Sequence, residues 1–414
     1  MRGLFQRLGA ALVFIDFRNL WLATALAQAA SWGLIVTRGW LIYREAESSF
    51  LVGVATFAAM GPMLIVPPIV GVLADRMDRR LILQASYATE VAQSSALLLL
   101  ALTGVLEVWM VVVASLVSGV ARAASVPTAQ ATAASLVPPE RLLNALSLTA
   151  STQHGSRLFG PALVTPLLAL SGAPAAFAVS VVLYALALHR VSQVTPQRVL
   201  QTGPRESFVA NFVGGLQYVY MRPVLRMMLL ILVCHCAFTM AFESLLPSFS
   251  AERLSAPDEG FGSLMMGVGA GAFVASLGVS GIQTERRRGS TLILTGVLSG
   301  LGQVILALTT ALPVAIAAAA MMGGAQAAFM TIGSAVTQSI ATDEYRGRVA
   351  SINSFSLGGM MATMNLLNGS IAEQVGAQPL LLIHGAIFVV IVGLTLLPAT
   401  GRRVYGRTAT PVAA

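Results

Sequence analysis

Residues 71–83 read Gly71-Val-Leu-Ala-Asp75-Arg76-Met-Asp78-Arg79-Arg80-Leu-Ile-Leu83 and lie between two long apolar runs, 49–70 and 84–104. A connection this short joins two helix ends on one side of a bilayer. It crowds Asp75, Arg76, Asp78, Arg79 and Arg80 into one turn. Asp75 closes the first helix against a cluster of guanidinium groups. Gly71, just before it, is a residue that lets neighbouring backbones approach closely, as small residues do in helix packing within lipid.

Composition carries the same message along the whole chain. Hydrophobic residues make up 56% and charged residues 10%, with mean hydropathy +0.79. A soluble chain carries about 25% charged residues. The protein is therefore a polytopic membrane protein. It is all-helical, because helices satisfy their own backbone hydrogen bonds in lipid and no alternating barrel pattern occurs. The net charge of +8 does not imply a nucleic-acid partner, because the cations sit in short loops. Cys234 and Cys236 are the two cysteines. Their spacing turns them to different faces of a helix, which predicts neither a disulfide nor a metal pair.

A span needs roughly 20 apolar residues. Twelve candidates occur, at about 19–42, 49–74, 81–104, 106–128, 142–169, 174–191, 224–248, 260–282, 290–311, 313–338, 349–374 and 378–398. With both termini in the cytoplasm, the inner segments hold twenty arginines and the outer loops only Arg44 and Arg253. The outer loops carry Glu45, Glu47, Glu107, Glu252, Asp258 and Glu259 instead. That asymmetry sets the orientation. The long polar segment 192–222 divides an N-terminal bundle, 1–191, from a C-terminal bundle, 223–414. Within it Phe208, Phe212, Leu216 and Val219 recur at helical spacing, the pattern of an amphipathic helix on the inner membrane face.

The halves echo each other. Gly71-Val-Leu-Ala-Asp-Arg-Met-Asp-Arg-Arg aligns with Gly278-Val-Ser-Gly-Ile-Gln-Thr-Glu-Arg-Arg, with Ile282 in the place of Asp75. Pro138-Pro-Glu-Arg-Leu-Leu-Asn-Ala-Leu-Ser aligns with Thr342-Asp-Glu-Tyr-Arg-Gly-Arg-Val-Ala-Ser. Parallel repeats of six helices about an axis along the membrane normal are a transporter arrangement.

The pattern Gly-x-Leu-Ala-Asp-Arg-x-x-Arg-Arg-x-x-Leu at 71–83 resembles the signature loop between helices 2 and 3 of the major facilitator superfamily. Four further stretches are similar to its enterobactin-exporter-like and macrolide-efflux-like branch. They are Phe17-Arg-Asn-Leu-Trp, Asn144-Ala-Leu with Arg157-Leu-Phe-Gly-Pro-Ala, Gly215-Leu-Gln-Tyr-Val, and Asp343-Glu-Tyr-Arg-Gly-Arg-Val. Gly160-Pro161 is similar to the family's antiporter signature, which bends the fifth helix and is linked to export. The resemblance implies twelve transmembrane helices in two pseudo-symmetric six-helix bundles. It implies secondary active transport by alternating access, with Gly71, Asp75, Arg76, Arg79 and Arg80 as an inner gate joined by Arg346 and Arg348.

Charges inside the spans are the candidate site. Each costs about 2.5–3.5 kcal/mol on insertion scales, so each needs a partner, a wet cavity or a task. Arg157, three residues before Gly160-Pro161, reads as a cavity cation for an anionic or polar substrate, or as a structural pair. Arg38 and Glu243, in the outer thirds of spans 1 and 7, read as a proton-coupled pair or as an outer salt bridge. Arg122 with Glu90 or Asp75 reads as a structural pair, and Glu90 and Arg122 are also coupling candidates. His154 and His235 read as shuttles or as hydrogen-bonded core residues, and Asn365 and Asn368 as cavity lining or helix–helix bonds. No zinc, nucleophile-elbow or nucleotide-loop pattern occurs, so no enzyme, metal or cofactor is expected.

The expected function is proton-driven export of a small amphipathic or siderophore-like molecule across the bacterial cytoplasmic membrane by a monomer. A lysophospholipid or nutrient transporter of the same fold is the rival. A membrane sensor or partner subunit is the alternative from another class.

Overall fold

The computed structural model describes residues 10–74, 77–196, 208–279 and 285–406. Every regular element among them is helical. In chain order these are a 3-10 turn (Ala10–Val13), α1 (Ile15–Ala46), α2 (Ser49–Met60), α3 (Pro62–Ala74), α4 (Arg79–Thr103), α5 (Val108–Ser135), α6 (Pro139–Ser192) and α7 (Phe208–Met221). There follow α8 (Pro223–His235), a π-helical turn (Cys236–Met240), α9 (Leu246–Glu252), α10 (Gly260–Val279) and α11 (Glu285–Leu308). The last are α12 (Leu312–Ile340), α13 (Asp343–Val375), α14 (Ala377–Thr395) and α15 (Ala399–Gly406).

Among the described residues nine stretches are long and apolar enough to cross a bilayer. One of them, α6, cannot be a single crossing. Its 54 residues, at 1.5 Å each, would run roughly 80 Å against a hydrocarbon core of roughly 30 Å. The backbone turns at Gly172, with φ 70° and ψ −169°. Those angles are essentially confined to glycine. Helices α4 and α13 are long enough as well, but buried Glu90, Gln93, Asn353, Asn365 and Asn368 lower their hydropathy. With these two the described helices supply twelve crossings.

The chain parses into two compact units. Unit 1 is Met1–Glu47, Val54–Gly203 and Phe261–Met266; unit 2 is Ser48–Gly53, Pro204–Gly260 and Gly267–Ala414. In unit 1, α1 lies along α6, and α4 packs on both α5 and α6. The α1–α6 approach depends on small residues. A Cβ on Gly160 would lie 2.8 Å from Trp32 Cβ and 2.9 Å from the Gly33 nitrogen. The helix runs on through Gly160-Pro161, and its non-helical residue is Gly172. Gly160 thus serves close packing of α1 on α6. Among the described residues no atom comes within 4 Å of the place a Cβ on Gly71 would take.

In unit 2, α11 packs between α12 and α14. Gly300 and Gly385 face each other, and a Cβ on either would meet the other's carbonyl oxygen at 2.6 Å. Met228, Leu232, Phe329 and Phe388 fill the core beside them. Helix α7 is amphipathic as expected, but its buried side is rotated. Tyr218 and Val219 are buried while Leu216 is 49% exposed. The Tyr218 ring stacks on Tyr345 at 4.2 Å, and its hydroxyl accepts from the Thr342 N–H at 2.9 Å. Phe212 meets Phe355 edge-on at 5.1 Å. The helix is docked on the start of α13 as well as being amphipathic.

The expected continuous span at 224–248 is interrupted. The α-helical ladder ends at His235, widens into the π turn, and is non-helical over 241–245. Lipid offers no partners for backbone groups freed in this way. Side-chain amides from three helices supply them. Gln303 Nε2 donates to the Phe238 carbonyl at 3.1 Å, and Gln326 Nε2 donates to that of Thr239. Asn368 Nδ2 donates to the Ala241 carbonyl at 2.6 Å, and Asn365 Oδ1 accepts from the Ser244 N–H at 3.1 Å. All four amides are buried. Replacing Asn368 by Ala strands a buried carbonyl, at a cost of roughly 1–3 kcal/mol. Amide hydrogen exchange over 236–246 should then rise at least fivefold relative to the wild type, while exchange in α11 stays unchanged.

Candidate functional site

The charged residues of unit 1 fall into two sets that differ in exposure. Arg38 on α1 and Glu90 on α4 are buried, at 5% and 3% exposure. Arg38 Nη2 donates to Gln93 Oε1 at 2.9 Å, and Gln93 Nε2 donates to Glu90 Oε2 at 2.8 Å. Ser118 on α5 donates to Glu90 Oε1 at 2.8 Å. Both oxygens of Glu90 are thus occupied, and the carboxylate lies within electrostatic reach of Arg38 and Arg122. A buried carboxylate is tolerable on these terms, because hydrogen bonds and a cation replace its hydration.

Arg122 on α5 and Arg157 on α6 are only half-buried. Their guanidinium carbons stand 5.7 Å and 4.7 Å from the centroid of the Trp32 ring on α1. Such contacts set a cation against the electron-rich face of an aromatic ring. Pro161 follows Arg157 by one turn and brings no N–H to the Arg157 carbonyl. The expected Arg122–Glu90 pairing is therefore electrostatic, while the cation–π contact of Arg122 is with Trp32.

A pocket opens beside these groups, lined by Gln28, Ser31, Tyr87, Glu90, Arg122 and Tyr184 among others. It encloses about 30 Å³ of solvent-sized space, room for about two waters. Trp32, Gln93 and Ser118 were not singled out in the sequence. Gln93 could have been, since it stands one helical turn after Glu90; nothing in the sequence marks Trp32 or Ser118.

In unit 2, Glu243 is 2% exposed and lies in the interrupted stretch after the π turn. Asn365, expected as cavity lining, is fully buried and committed to backbone, through Ser244 and the Met361 carbonyl at 3.0 Å. His235 is a core residue. Its Nε2 is 3.1 Å from Ser299 Oγ, and its ring packs on Phe329 and Phe388. Both cysteines are free thiols.

Asp75 and Arg76 lie outside the described residues. Asp78 caps α4, accepting from the Arg80 N–H at 2.9 Å, and Arg79 donates to the Ala131 carbonyl at 3.3 Å. Arg346 pairs with Asp343 at 2.7 Å, and Arg348 stands 5.1 Å over the Tyr345 ring.

Long apolar helices, with buried charges and a small pocket in unit 1, are the features of a polytopic membrane protein. The comparisons agree. The family described as "Transmembrane secretion effector" matches residues 10–403. The chain belongs to that family, within the macrolide-efflux-like branch of the major facilitator superfamily. It is similar to macrolide efflux protein A of Streptococcus pyogenes, with 22% identity over 91% of this chain and 94% of that protein. It is also similar to the multidrug efflux pump Tap of Mycolicibacterium fortuitum, with 25% identity over 80% and 83%. Among solved structures, the nucleoside transporter NupG has a TM-score of 0.74 at 11% identity, covering 92% of this chain and 98% of its own. The human organic anion transporter MFSD10 has a TM-score of 0.66 at 14% identity, covering 92% and 98%. These two likenesses concern the fold alone. The protein is a multi-pass membrane transporter of the efflux type, not an enzyme.

The two sets of charges make separate predictions. Removing one partner of a buried pair costs roughly 3–5 kcal/mol. Glu90→Gln should lower the melting temperature of the purified protein, and Arg38→Gln added to it should recover part of the loss. Arg157→Gln, at a half-buried position, should melt close to the wild type.

Proposed function

We propose that the protein exports a small amphipathic molecule across the bacterial cytoplasmic membrane by alternating access, in exchange for protons. The observation that carries this reading is the charge cluster of unit 1, held in long apolar helices by hydrogen bonds and bordering a small pocket. Charge at that depth persists where it has a task. The efflux activity named for the two relatives supports outward transport, and the arginine asymmetry of the loops supports cytoplasmic termini.

In this reading Arg157 and Arg122, with Trp32 between them in the chain's packing, meet the cargo. Glu90 keeps the guanidiniums in place. Glu243 is the proton site, because it is a buried carboxylate at the one interruption of α8, where backbone and side chain can change together. The role of inner gate is assigned to Asp75, Arg76, Arg79 and Arg80 of the 71–83 turn, and to Arg346 and Arg348. The protein works as a monomer with no cofactor.

The test is uptake of amphipathic dyes into inside-out vesicles under an imposed pH gradient. Wild type should accumulate dye only with the interior acidic. Asp75→Asn should cut the rate at least fivefold with insertion unchanged by protease mapping. Glu243→Gln should abolish accumulation against a gradient yet leave downhill exchange. Undiminished proton-driven transport by Glu243→Gln removes that residue as the coupling site.

A further inference from the structure

The interrupted stretch of unit 2 is bordered by more oxygen acceptors than it has donors for. The amide nitrogens of Gln303, Gln326 and Asn368 are committed to the carbonyls of Phe238, Thr239 and Ala241. That commitment fixes which way each amide faces. The other ends, Gln303 Oε1, Gln326 Oε1 and Asn368 Oδ1, are buried and have no hydrogen-bond donor among the described residues. Ser244 Oγ, in the same stretch, is buried and has no partner there either. Each amide oxygen shares a carbon with the nitrogen that holds the backbone. Bond lengths therefore keep it within roughly 6 Å of the carbonyl oxygen that its nitrogen binds.

A buried acceptor left without a donor is costly, and such groups call for an explanation. Turning an amide over offers no relief, because its oxygen would then face the backbone carbonyl and strand that as well. A cation relieves all four. Amide, hydroxyl and backbone carbonyl oxygens are ligands of hard cations, and carbonyl oxygens can replace the hydration shell of an alkali ion. Each clasped backbone carbonyl keeps a second lone pair for this use. Unwound carbonyls of discontinuous membrane helices coordinate Na⁺ in the same way. The donors also set the charge of the ion. Sites for Ca²⁺ and Mg²⁺ draw on carboxylates, whereas these four side-chain oxygens are neutral. Glu243, next to Ser244 in the chain, adds negative charge to the stretch.

We infer that unit 2 binds a monovalent alkali cation, Na⁺ or K⁺, beside the interrupted stretch after α8, on the oxygens of Gln303, Gln326, Asn368 and Ser244 and the carbonyls of 238–241. The ion fastens the segment that the amides clasp. This site stands apart from the export reading, since it concerns unit 2 and its readouts involve no transport.

The experiment follows amide hydrogen exchange of the full chain in nanodiscs of zwitterionic lipid, at one pH, as choline chloride is replaced stepwise by NaCl or by KCl. Exchange over 236–246 should fall saturably, by roughly threefold or more, with at least one alkali ion. Exchange in α4 of unit 1 should stay constant, and the salt with the lower midpoint identifies the ion. Ser244→Ala removes a hydroxyl with no partner among the described residues, so a purely structural role predicts no change. The ion site predicts a midpoint raised roughly threefold or more. Gln326→Lys brings a tethered ammonium, which should protect the segment in choline chloride and abolish the alkali response. The titration of wild type needs no variant to fold. Identical exchange in all three salts, an unchanged midpoint in Ser244→Ala, or a wild-type response in Gln326→Lys overturns the inference. Alkali protection without dye movement in the vesicle assay would refute export and leave the ion site standing. Proton-driven dye movement with no alkali response would leave export standing and refute the ion site.

Discussion

A lipid interior supplies no hydrogen bonds, so every polar group that enters it must bring or find a partner. This constraint organises both units. In unit 1 it is met by the chain from Arg38 through Gln93 to Glu90 and Ser118, which ties α1, α4 and α5 together. In unit 2 it is met by four side-chain amides that close around the interrupted stretch after α8. The first arrangement holds charge in place. The second holds irregular backbone in place. Both spend side chains on satisfaction that a plain apolar helix would not need.

The division of labour among charges follows from exposure and from the chemistry of each group. Glu90 accepts two hydrogen bonds with its two oxygens and lies near two guanidiniums, so it acts as a counter-ion with little left to offer a ligand. Arg122 and Arg157 set their guanidiniums beside the Trp32 indole. Close packing of α1 on α6 at Gly160 and Gly33 brings Trp32 to Arg157, since any side chain at Gly160 would push the two helices apart.

Much of this was legible in the residues. Apolar runs near twenty residues long, separated by arginine-rich turns, indicate a polytopic helical membrane protein, and the fold is all-helical among the described residues. The signature at 71–83 indicates the family, and the family match spans residues 10–403. Arg38, Glu90, Arg122, Arg157 and Glu243 stand out in a chain with 10% charged residues, because charge in a long apolar run is conspicuous. Hydrogen-bonding residues are less so. Gln93, Ser118, Gln303 and Gln326 are uncharged and common, and their importance depends on what lies opposite them.

The sequence by itself determined the solvent, the helical class, the crossings, the orientation signal and the list of charges, since each follows from local composition and spacing along the chain. Only the tertiary structure decided that Arg38 and Glu90 are joined through Gln93, that Trp32 receives two guanidiniums, that Gly160 packs against α1, and that the seventh crossing is interrupted and clasped by amides. Those outcomes depend on contacts between residues far apart in the chain, and the distance between two helices is not written in the spacing of either one.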